Sequence, residues 1–112
     1  MRFLNRIIDH PHQRFFLTGN ANQRIAMTLR FLPLVESWVI DIEYEDFRLY
    51  GVRVVNSVNF LRQYRNIIPF GMSCQSRDNL DPVFINDFSS QRTALHLLDS
   101  EDVQRIEAGI FE

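Results

Sequence analysis

Cys74, His96 and Asp87 are the residue types of a thiol nucleophile, its base and the carboxylate that orients the base. No flanking pattern supports that set. A lone cysteine within an extended run is ordinarily a small core residue. His10-Pro11-His12, with Asp9 beside it, offers metal-ligand types. Nothing nearby completes a four-ligand shell, so a solvated linker is the simpler reading. Asp78, Asn79, Asp81 and Asp87 suggest calcium, but their loop lacks the central glycine and closing glutamate of an EF-hand. Arg77 to Pro82 (RDNLDP) is instead read as a polar turn. Glu43 and Glu45 could act as paired carboxylates, yet Arg24 and Arg30 are their expected neighbours and cross-strand ion pairing is the plainer use. The four glycines are widely spread and form no phosphate-binding loop. The expectation is a chain without catalytic residues, cofactor or metal.

The elements that would position these residues are mostly strands. From Ile25 every second residue is apolar (Ile25, Met27, Leu29, Phe31), with Arg24, Thr28 and Arg30 between them and only Ala26 off pattern. After a break at Leu32 to Glu36 the alternation resumes as Trp38, Ile40, Ile42 and Tyr44 against Asp41, Glu43 and Glu45. A period of two gives one buried and one wet face, with Trp38 central to the buried row. Gln13 to Thr18 is a further strand, joined to the next through Gly19 to Asn22 as a hairpin. Glu45-Asp46 is a tight turn, and Phe47 to Val55 continues extended across Gly51, which marks a bulge or close approach. Asn56 to Arg65 changes period and predicts a short helix or helical turn capped by Asn56 or Ser57. Met72 to Ser76 and Arg92 to Leu98 are later strands. Asp99 or Ser100 caps a final helix over Glu101 to Glu107, stopped by Gly109, which should close the fold through Val103 and Ile106. Ile110-Phe111 is left as an apolar tail. Residues 1–12 could be a helical turn, a strand or an arm, and are set apart as an N-terminal arm from a single β-rich domain, 13–112.

The fold class is therefore mainly β: a small barrel or sandwich of six to eight short strands, with a short central helix and a C-terminal helix. A chain of 112 residues with 46 % hydrophobic content can bury a modest core. No apolar run approaches the ~20 residues that span a bilayer, and no secretory signal is expected. A single cysteine excludes an internal disulfide and suits folding in a reducing cytosol. The net charge of −2 argues against a nucleic-acid partner. All twelve basic residues are arginine. This fits a GC-rich genome and also fits protein interfaces, where arginine pairs carboxylates and stacks on aromatics. Arg24 and Arg30 are candidates for cross-strand pairing or partner contact; Arg62 and Arg65, flanking Tyr64, are candidates for partner contact alone.

The order of these features resembles the small baseplate plug family of contractile-tailed bacteriophages, known from cyanophage-like tails. The features are Gln13-Arg14-Phe15, the Ile25 to Phe31 strand, Trp38-Val39-Ile40-Asp41-Ile42 and Gly51-Val52. Asn59-Phe60-Leu61-Arg62-Gln63-Tyr64, Pro69-Phe70-Gly71, Asp81-Pro82, Asp87-Phe88 and Leu95-His96-Leu97-Leu98 follow. The resemblance covers about Gln13 to Glu107. It implies a non-enzymatic virion protein of the tail baseplate, made in the host cytoplasm and present in several copies of a symmetric assembly. Its partners would be hub and tail-tube proteins and the end of the tape measure. The reading from a different class is an OB-like module for single-stranded nucleic acid or a peptide.

Overall fold

The computed structural model describes residues 2–18 and 24–110. Among these residues seven strands form two antiparallel sheets. Strands β2 (His12–Thr18), β3 (Arg24–Leu32), β4 (Ser37–Tyr44) and β5 (Phe47–Arg53) follow one another in a four-stranded meander. The second sheet has the order β1-β7-β6, from Arg2–Phe3, Thr93–Leu98 and Gly71–Ser76. The sheets do not close into a barrel, so that alternative is set aside; β1 ends one sheet and β2 ends the other.

The alternating rows bury as periodicity dictates. Ile25, Met27 and Leu29 of β3 face the core with Trp38, Ile40 and Ile42 of β4. From the second sheet, Met72, Cys74, Leu95 and Leu97 join the same cluster, so both sheets share one core. Trp38 is wholly buried, between Phe31 at 5.3 Å and Phe88 at 5.3 Å. Its indole Nε1 donates to the Phe84 carbonyl at 3.0 Å, which satisfies the one polar atom the ring brings inside.

Gly51 is the expected bulge. Ile40 faces Val52 and Ile42 faces Leu49, so Tyr50 and Gly51 together oppose Asp41. Gly51 takes φ +71°, open to glycine at little steric cost. The Gly19 to Asn22 turn lies outside the described residues, but β2 and β3 pair antiparallel from His12↔Arg30 to Thr18↔Arg24.

Three expectations are revised. Residues 2–12, set apart as an arm, are partly bound into the fold. Arg2 and Phe3 pair with Leu97 and His96, and Ile7 is buried. The buried Gln13 side chain donates to the Ile8 and His10 carbonyls at 2.6 and 2.8 Å and accepts the Ile8 amide at 3.0 Å. The central helical segment is only a 3-10 turn, Arg62–Tyr64, and neither Asn56 nor Ser57 caps it. Asn56 Oδ1 instead accepts the Ser76 amide, and Ser57 forms a backbone bridge to Cys74. Finally, helix α1 runs Ser100–Ile110, through Gly109 rather than stopping there. Gly109 has no positive φ, so the left-handed stop a glycine C-cap needs is not made. Val103 and Ile106 are half-buried and stand outside the core cluster, so α1 flanks the sheets without sealing them. Asp99 does cap it: its Oδ1 accepts the Asp102 amide at 2.8 Å, and Asp102 Oδ2 accepts the Asp99 amide at 3.3 Å.

Candidate protein-contact surface

Strand register separates the thiol set. Cys74 stands opposite Leu95 and His96 opposite Ser73. Successive side chains alternate faces, so the thiol and the imidazole lie on opposite sides of one sheet. Burial pushes the Cys74 thiol up to about 12, which keeps it protonated and a poor nucleophile. His96 packs on Phe3 at 5.5 Å, and burial holds it below the usual histidine value.

Asp87 has a structural task. Its Oδ2 accepts the Val83 and Phe84 amides at 2.7 and 2.8 Å and lies 2.8 Å from Arg92 Nη1. That fixes the loop whose Phe84 carbonyl and Phe88 ring cover Trp38. The other acids of the calcium-like loop are also engaged. Asp78 holds Arg92 through two bonds of 3.1 and 3.2 Å, and Asp81 accepts the Asn56 amide at 2.8 Å. His10 Nδ1 lies 3.2 Å from the His12 amide and 2.8 Å from the His12 carbonyl. Among the described residues no three metal-ligating side chains come together.

The five proposed contact residues are not one surface. Arg24 is exposed at the start of β3, opposite Thr18. Arg30 makes a bidentate pair with Asp41, both bonds 2.9 Å, along the diagonal between β3 and β4. Asp41 also accepts the Gly51 amide at 2.8 Å. Partial burial works to raise this carboxyl, yet Arg30 and the Gly51 amide hold it below the ordinary aspartate value. Glu43 pairs with Arg14 at 3.6 Å, not with Arg24 or Arg30 as expected. Arg62 and Arg65 both turn inward onto Glu107 of α1, at 3.0 and 3.8 Å. Tyr64 is half-buried, edge-on to Phe47 at 6.1 Å. Four of the five thus already have intramolecular partners.

Two exposed surfaces escaped notice in the sequence. The first is the β3–β4 hairpin tip, Leu32 to Glu36. Leu34 is 98 % exposed and Val35 64 %. The tip stands on a rigid base: Phe31 packs on Trp38, the Ser37 hydroxyl donates to the Val35 carbonyl at 3.0 Å, and Glu36 closes the turn at φ +47°. The available signal was a turn built from Leu-Pro-Leu-Val, where Gly, Asn and Asp are usual. The second is a groove of about 500 Å³ between residues 2–7 and residues 14–18. Phe16, 75 % exposed, lies beside it under the Arg14 guanidinium, 5.3 Å from the ring centroid. No local motif announces this groove, since its two walls, though near in sequence, belong to different sheets.

The family model described as "Cyanophage baseplate Pam3 plug gp18" matches residues 3–101, so the match extends through the N-terminal segment to the first turn of α1. No curated protein matches the chain.

Proposed function

The chain belongs to the cyanophage baseplate plug family, a virion component of the tail baseplate with a structural role, and from that membership we propose that it braces the junction between hub and tube of a contractile tail by protein contacts. The observation that carries this reading is the hairpin tip. Leu34 and Val35 are presented to solvent on a base whose own core is already complete. A solvated turn gains nothing from two exposed aliphatic side chains, whereas their burial against a neighbour would add roughly 1.5–3 kcal/mol each. The partners are baseplate proteins of the hub and tube and the end of the tape measure, with several copies in a symmetric ring, each made in the host cytoplasm before assembly. Arg24, exposed and beside β2, is a secondary contact candidate; Arg30, Tyr64, Arg62 and Arg65 act first within the chain.

Deleting the gene tests this reading. The expected result, by negative-stain microscopy, is tails that lack a complete baseplate, with assembly restored by the gene supplied in trans. Normal, infective particles from the deletion strain would contradict it.

A further inference from the structure

The groove between residues 2–7 and 14–18 lies at the open seam of the fold. One wall includes β1, the end strand of the three-stranded sheet; the other is β2, the end strand of the four-stranded sheet. Among the described residues β2 pairs only with β3 and β1 only with β7, so each presents an unpaired strand edge beside the groove. Such edges are templates for an added strand. The groove lining is apolar at Phe15, Leu17 and Ile7, side chains that belong to or pack against the core. Arg2, Arg6 and Arg14 also line it, and among the described residues no carboxylate does. Arg14 shares its charge with Glu43, but Arg2 and Arg6 make no ion pair among the described residues. In a chain of net charge −2 this is a local excess of positive charge.

We propose that this seam receives an extended, acidic segment of another baseplate protein, added as a strand between β1 and β2. Alternate side chains of that segment would pack on Phe15, Leu17 and Ile7. The carboxylates between them would meet Arg2, Arg6 and Arg14, and the ring of Phe16 would cover the outer edge. The inserted strand would bridge the two sheets where the chain leaves them unjoined. Single-stranded nucleic acid would use the arginines and Phe16, but it would leave the apolar lining and the strand edges without partners. The inference rests on the baseplate reading above.

The test places the photo-cross-linking residue benzoylphenylalanine at position 16 of the full-length chain, in assembled virions. The expected product is a dominant cross-link to an acidic, extended segment of a different baseplate protein. With Arg2→Glu and Arg6→Glu introduced together, the melting temperature should hold. The cross-link yield should fall roughly fivefold or more, which corresponds to about 1 kcal/mol of lost binding. A cross-link to nucleic acid, to a second copy of this chain or to a helical or basic segment overturns the proposal, as does no cross-link from particles that contain the protein. Absence of the protein from washed particles instead sinks the baseplate reading, and this inference with it.

Discussion

Asn59 and Gly71 show how much one close approach can decide. The buried Asn59 Oδ1 accepts the Leu61 and Met72 amides, both at 3.1 Å, and so joins the 3-10 turn to the start of β6. A Cβ on Gly71 would stand 2.6 Å from that same oxygen. Gly71→Ala must therefore displace a buried side chain that satisfies two amides. A loss of about 1–3 kcal/mol is expected, read as a lower denaturant midpoint at unchanged slope; an unchanged midpoint would mean Asn59 can move freely. His96 supplies a second prediction at this scale. Its folded value lies below the ordinary 6.5 because burial disfavours the charged ring. The unfolded chain therefore binds the proton more readily. The stability from a neutral His96 is complete above about pH 6.5 and is lost as pH falls toward the folded value. A melting curve measured from pH 7 downward should decline, and His96→Gln should flatten that decline. An identical slope in both proteins would show that His96 is not the group responsible.

At the scale of elements, β3, β4 and β7 were legible because a half-buried strand writes its two faces directly into alternate residues. The turn at 45–46 and the bulge at Gly51 were legible from turn and glycine chemistry. The loop at 83–92 was not, because its shape depends on Asp87 gathering amides and Arg92 from within the folded loop. The ion pairs of Arg62 and Arg65 were not legible for the same reason: their partner, Glu107, is more than forty residues away in sequence. Among the described residues, those ion pairs, Asp99 capping and two half-buried side chains tie α1 to the sheets. Removing residues after Asp99 should therefore leave a folded, cooperatively melting domain, with a modest loss of a few kcal/mol at most. A chain without a cooperative transition would show that α1 completes the core after all.

For the whole molecule, the core is finished but the outline is not. Both sheets feed one apolar cluster, yet among the described residues they end in unpaired edges at the seam, and the longest hairpin ends in Leu34 and Val35. Both features fit a part shaped by its neighbours. The hairpin tip left a local trace in its Leu-Pro-Leu-Val turn, whereas the meeting of two sheet edges is a property of the assembled fold. The central claim is that the chain is a fixed structural part of the baseplate, held there through its hairpin tip. Quantitative mass spectrometry of washed virions tests it most directly, comparing wild type with Leu34→Glu/Val35→Glu. Because both side chains are exposed, the double variant should melt as wild type does. The account predicts a constant copy number per particle for the wild-type protein and a loss of tenfold or more for the variant, since two buried apolar contacts would be worth roughly 3 kcal/mol or more. Wild-type protein absent from washed particles, or a variant incorporated at the wild-type level, would contradict it.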